Sequence, residues 1–160
     1  MAASAASICI FCFGNGARGD DGLGEALFAL LQQDRQQQPV LFTDVELVLD
    51  FQLAPEHIFD LHRASVGIFV DAQSETDSGV QWERVKKGSQ LHFSSHHLPP
   101  ESLLFLYEET FQVPAPPCYL LSMGAASFEL GAPLTPTAIN NLQQAHQLLL
   151  QKLAALCQSG

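Results

Sequence analysis

Phe13-Gly14-Asn15-Gly16-Ala17-Arg18-Gly19-Asp20-Asp21-Gly22-Leu23-Gly24-Glu25 is the stretch from which the rest of this chain can be read. Five glycines in eleven positions supply positive backbone φ and close backbone approach far more often than an ordinary connection needs. Upstream, Ile8-Cys9-Ile10-Phe11-Cys12-Phe13 is an unbroken apolar run, the pattern of a strand covered on both faces and hence of a parallel sheet. Downstream, Leu23, Ala26, Leu27, Leu30 and Leu31 recur at three-and-four spacing and predict a helix over 23–33. Strand, glycine turn and helix together open a doubly wound α/β unit. Asp20 falls where helix amides are unpaired and reads as the N-cap. Asp21 is then left to face outward as an oxygen ligand or a general acid/base.

The remaining elements extend the same pattern. A second strand is expected within 40–49, ending at Asp50, then a short helix over 55–63 with Ile58, Phe59 and Leu61 inward. Val66-Gly67-Ile68-Phe69-Val70 reads as a third strand ending at Asp71. Binding sites in open α/β sheets lie beyond the carboxyl ends of strands, so Asp71 should stand near the glycine loop. Val80–Val85 and Leu91–Phe93 suggest a half-exposed hairpin-like insertion. Ser94-Ser95-His96-His97 precedes a helix over 101–111, and 117–123 is a further strand leading into the small-residue loop Gly124–Ser127. Thr135 and Pro136 are a good N-cap and first residue for a last helix reaching Cys157, with Ile139, Leu142, Ala145, Leu149, Leu153 and Leu156 as its apolar stripe and His146 at its boundary. The fold expected is a three-layer α/β sandwich, a mostly parallel sheet of about five strands with helices on both faces, formed by residues 1–160 as a single domain.

Composition narrows the partners. A net charge of −10 argues against nucleic acid or an anionic membrane, because phosphate binding needs clustered Lys and Arg, and Arg84-Val85-Lys86-Lys87 is too short a cluster to supply it. No stretch has membrane-spanning length, and the run 8–13 lacks the length and basic flank of a secretory signal. A cytoplasmic monomer is expected, its four cysteines reduced. Cys9 and Cys12 form a Cys-x-x-Cys pair, but positions three apart on a strand point to opposite faces and cannot share one metal. A serine nucleophile lacks its Gly-x-Ser-x-Gly elbow, and a phosphate loop would need Gly-Lys-Ser/Thr where this chain has Gly-Asp-Asp.

Asp20, Asp21, Asp71 and one of His96 and His97 can therefore converge at one sheet edge. Carboxylates so placed repel unless a cation or proton is shared, and oxygen with imidazole suits a borderline divalent ion in an open site.

These residues resemble the hydrogenase maturation proteases, which trim the C-terminal extension of a nickel-iron hydrogenase large subunit after nickel insertion. The likeness is carried by Gly14-Asn15-x-x-Arg18-Gly19-Asp20-Asp21-Gly22-x-Gly24, by Phe69-Val70-Asp71-Ala72, by Ser95-His96 before a helix, and by Leu134-Thr135-Pro136. It implies an endopeptidase with Asp21, Asp71 and His96 as nickel ligands, His97 being the alternative to His96. The same three are the implied catalytic group, with Asp20 and Asp50 as auxiliaries. It implies further that nickel arrives with the large-subunit precursor rather than residing in the protein, and that Asp20, Asp50 or a polarised water assists hydrolysis. Loops 73–79 and 112–117 would carry substrate specificity. Two other classes remain open: a noncatalytic metal-binding or chaperone protein, and a receiver-type signalling domain, which would need a lysine after the fifth strand where Gly124 follows Met123.

Overall fold

Apolar runs bounded by glycine, proline and acidic residues set the order of elements along the chain. In the computed structural model, residues 7–73, 79–89 and 98–158 are described. Strand β1 (Ile8–Phe13) leads through a single 3-10 turn (Gly19–Gly22) into α1 (Leu23–Gln37). There follow β2 (Val45–Asp50), α2 (His57–His62), β3 (Val66–Gln73), β4 (Val80–Arg84), α3 (Pro100–Phe111), β5 (Cys118–Gly124) and α4 (Pro136–Gln158). The sheet order is β2-β1-β3-β5-β4, parallel except that β4 runs antiparallel to β5 at the edge.

Both faces of the sheet are covered, which explains why β1 is apolar at every position and buried throughout. On one face Ile10, Cys12, Ile68, Val70, Leu121 and Met123 meet Leu23, Leu27 and Leu31 of α1 and Ala145, Leu149 and Leu153 of α4. On the other, Cys9, Phe11, Phe13, Phe69 and Cys118 meet Ile58 and Leu61 of α2 and Leu103, Leu104 and Tyr107 of α3. Each fully buried leucine contributes roughly 1.5–3 kcal/mol relative to exposure, so the two helix pairs are held by their stripes rather than by propensity. The expected three-layer sandwich is present, and Cys9 and Cys12 do belong to opposite layers.

Several local expectations are corrected. The second strand starts at Val45, because 39–44 turn on themselves through Thr43, whose hydroxyl donates to the Pro39 and Val40 carbonyls. β3 runs past Asp71 to Gln73, since β5 pairs with it that far. Val80–Arg84 pairs antiparallel with β5 along one side of the sheet and is half-exposed, as expected of it. Phe59 faces outward, 56% exposed, because in a helix of six residues the inward face is set by His57, Ile58 and Leu61. Ile139 is also exposed; Ala138 and Asn141 take the buried face, and the Asn141 amide donates to the Gly124 carbonyl at 2.9 Å. Cys157 is exposed, whereas the other three cysteines are buried. The expected strand 91–93 and the histidines His96 and His97 lie outside the described residues.

Candidate functional site

Chain direction reverses between β1 and β3: α1 carries the chain from β1 out to β2, and α2 returns it to β3 on the far side of β1. Loops leaving adjacent strands on either side of such a switch diverge and open a crevice at the carboxyl edge. A cleft of about 540 Å³ lies there, lined by Phe13, Gly14, Arg18 and Asp21 after β1, by Phe69, Asp71 and Gln73 of β3, and by Leu98–Glu101 at the start of α3. Phe51, Gln52, Leu53 and Leu120 complete its wall. Asp21 and Asp71, separated by fifty positions in sequence, thus share one cavity, each partly exposed.

The glycines explain how Asp21 reaches it. Gly14 sits at φ +143°, and a Cβ there would stand 2.0 Å from the Asp21 carbonyl oxygen; a Cβ on Gly24 would stand 2.0 Å from the Phe13 carbonyl oxygen. The loop is therefore folded flat against the first turn of α1. Asp21 Oδ2 accepts the Asn15 amide at 3.0 Å, fixing the carboxylate against the same loop.

Asp20 does something different from what its position predicts. It does not cap α1, whose N-cap position is Gly22 with no side-chain cap. Its side chain is fully buried and accepts four hydrogen bonds: from the Ala126 and Ser127 amides at 2.7 and 3.0 Å, and from the Thr135 amide and hydroxyl, both at 2.8 Å. Burial alone would raise its pKa; the Thr135, Ala126 and Ser127 donors outweigh this and hold the carboxyl below the usual aspartate range. With both carboxylate oxygens already engaged, Asp20 ties the loop after β5 to the start of α4 and does not line the cleft. Thr135 simultaneously accepts the Ala138 amide at 3.2 Å, as an N-cap should. The small-residue loop 124–127 is thus occupied in holding Asp20.

Asp50 ends β2 opposite Phe13 but also stands outside the cleft lining. Its Oδ1 accepts the Phe51 amide at 2.8 Å and its Oδ2 lies 3.3 Å from His57 Nε2. His57, buried edge-on against Phe11 and Phe13, has its Nδ1 2.8 Å from the Ala54 amide, so the ring clamps the 51–54 wall of the cleft onto β2. Sequence reading passed over His57, although its placement four residues before the buried Leu61 puts it on the inward face of α2. Arg18 is the basic side chain among the described cleft residues and shares the lining with Asp21, Asp71 and Glu101. Phe51, 74% exposed at the rim, was likewise unsignalled.

Cysteine chemistry is disfavoured at this edge. Burial pushes the Cys12 and Cys118 thiols up to about 12, and Cys9 higher still, which keeps all three protonated at neutral pH. Loop 112–117 precedes β5 and so stands at the amino edge of the sheet, away from the cleft; of loop 73–79, Gln73 lines the cleft and 74–78 lie outside the described residues. Among the described residues no three His, Cys, Asp or Glu side chains group closely enough to hold a metal ion, and none of the helices is long and apolar enough to cross a membrane.

No protein-family model and no curated protein matches the sequence. Solved structures do. The chain is similar to the hydrogenase maturating endopeptidase HybD from E. coli, with 21% identity and a TM-score of 0.71 over 96% of this chain and 94% of that one. It is similar to the NiFe hydrogenase maturation protease HycI from Thermococcus kodakarensis KOD1, at 18% identity and a TM-score of 0.68 over 95% of each chain. A solution structure of an endopeptidase from Escherichia coli matches at 22% identity and a TM-score of 0.67, over 96% and 94% of the two chains. Across nearly its whole length, the chain has the fold of the NiFe hydrogenase maturation proteases.

Proposed function

We propose that this protein is an endopeptidase that removes the C-terminal extension of a nickel-iron hydrogenase large-subunit precursor once nickel has been inserted. The observation that carries the reading is the convergence of Asp21 and Asp71 in one cleft at the switch between β1 and β3, in a chain with the maturation-protease fold. Two carboxylates without thiolate are hard oxygen donors, and they leave coordination positions open for a metal that arrives in its own protein. Nickel is in this sense part of the substrate. Its recognition would be completed by His96, with His97 as the alternative, both just before Leu98–Glu101 in sequence, residues that line the cleft.

The accessible lining is mostly polar, with Arg18, Gln52, Gln73 and Glu101 beside the two aspartates, and suits the backbone amides and carbonyls of an extended peptide. Asp21 and Asp71 would orient the metal-bearing end of that peptide, and a water held beside them would be the attacking group. In this reading Asp20 has a structural role in place of the acid/base one expected of it, which its four hydrogen bonds support, because a carboxylate so held resists protonation. Asp50 would act only through His57 and the cleft wall. The test is to compare wild-type protein with the Asp21→Asn and Asp71→Asn variants on nickel-loaded precursor. Both variants should fold and fail to shorten it. Full processing by either would refute the assignment, and tight nickel-dependent association without shortening by the wild type would favour a noncatalytic metal-binding protein.

A further inference from the structure

One buried polar side chain of β5 lies next to the strand that carries Asp71. Ser122 is 2% exposed, and among the described residues its hydroxyl has no hydrogen-bond partner. Leaving a hydroxyl unpaired in the interior costs stability, and folded proteins pair nearly all such groups. Alanine at this position would avoid the cost at little loss of packing. The hydroxyl therefore calls for a partner in the working state of the protein.

The register identifies that partner. Ser122 of β5 stands directly opposite Asp71 of β3 in the parallel ladder. Side chains alternate along a strand, and Phe69, two before Asp71, and Cys118, four before Ser122, pack in the same layer. Asp71 and Ser122 accordingly project from the same face, side by side, at one strand spacing of about 4.8 Å. Leu120, the residue of β5 one step nearer the amino edge on that face, lines the cleft together with Asp71.

We propose that Ser122 is a positioning residue for Asp71: when Asp71 engages the substrate's metal-bearing end, the Ser122 hydroxyl donates a hydrogen bond to the carboxylate and fixes its orientation. The inference rests on the proposed function and adds a residue to it. A ligating carboxylate works best when a neighbouring donor orients it, and loss of such a donor typically costs roughly 10–100-fold in metal affinity or activity. No bond is made or broken by Ser122 itself, which stands behind Asp71 and outside the cleft lining.

The experiment compares wild type, Ser122→Ala and Ser122→Thr in three measurements: the urea midpoint, the rate of precursor shortening, and affinity for nickel-loaded against nickel-free precursor. The alanine variant should have a midpoint equal to or above that of wild type, because an unpaired buried hydroxyl has been removed. Its nickel-dependent gain in affinity and its kcat/KM should nevertheless fall by roughly 10–100-fold, and threonine, which keeps the hydroxyl, should restore most of both. A merely structural role would instead lower the midpoint and leave the nickel-dependent affinity gain intact. An alanine variant with wild-type affinity gain and rate, or a threonine variant as poor as alanine at unchanged midpoint, would overturn the inference while leaving the proposed function standing. Wild-type protein that neither binds nor shortens nickel-loaded precursor would overturn both.

Discussion

Asp20 and Thr135, 115 positions apart in the chain, are joined by two hydrogen bonds, from the Thr135 amide to Oδ1 and from its hydroxyl to Oδ2, each 2.8 Å long. The pair staples the glycine loop to the start of α4, so the first acid of the Asp-Asp motif holds the architecture while the second faces the cleft. Asp20→Ala would leave three amides and a hydroxyl without their acceptor and should lower stability by roughly 2–4 kcal/mol. Urea unfolding at neutral pH measures this. A change below about 0.5 kcal/mol, the usual range for a surface substitution, would show that the staple is not needed.

The same carboxylate makes stability depend on acid. Its folded pKa is depressed by the Thr135, Ala126 and Ser127 donors, which outweigh the opposing effect of burial. A depressed acid contributes stability that is complete above its unfolded pKa, about 3.9, and is lost as pH falls through the folded value. Unfolding free energy of the wild type should therefore drop below about pH 4, and Asp20→Asn should flatten that part of the profile. An unchanged acid limb in the variant would contradict the assignment.

Gly14 connects loop conformation to the site. Gly14→Ala places a methyl 2.0 Å from the Asp21 carbonyl oxygen at φ +143°, a region costly to any residue with a Cβ. We expect a stability loss of roughly 1–3 kcal/mol together with a loss of processing larger than the unfolded fraction explains, since relief of the clash must move Asp21. Circular dichroism melts run beside the processing assay separate the two effects.

Asp34 of α1 and His146 of α4 meet at 2.5 Å in a mostly buried pair. A double-mutant cycle with Asp34→Asn and His146→Gln should give a coupling energy of about 0.5–3 kcal/mol, with processing by the folded fraction unaltered. Zero coupling would mean that the two helices are held by their leucines alone.

How much of this could be read from the chain follows from which forces are local. The β1 run, the Leu23–Leu31 stripe and the Thr135-Pro136 helix start carry their structure in their own spacing, and all three elements form where they were expected. Asp21 and Asp71 could be placed at one edge because a parallel sheet puts every strand's carboxyl end on the same side. The role of Asp20 could not, since its donors lie at 126, 127 and 135 and no local pattern announces a contact over that separation. The outward turn of Phe59 was missed because one and a half turns of helix define no stripe. Ser122 carries no signal in sequence at all: an isolated serine in an apolar strand gains meaning only from the residue opposite it.

The central claim is that the cleft holding Asp21 and Asp71 recognises nickel already seated in a large-subunit precursor and cleaves the chain behind it. Incubating the purified protein with cognate precursor in nickel-loaded and nickel-free forms, and reading the precursor's mass, tests this most directly. The account predicts loss of one C-terminal peptide from the nickel-loaded form alone. Equal shortening of both forms, or of neither, would contradict it.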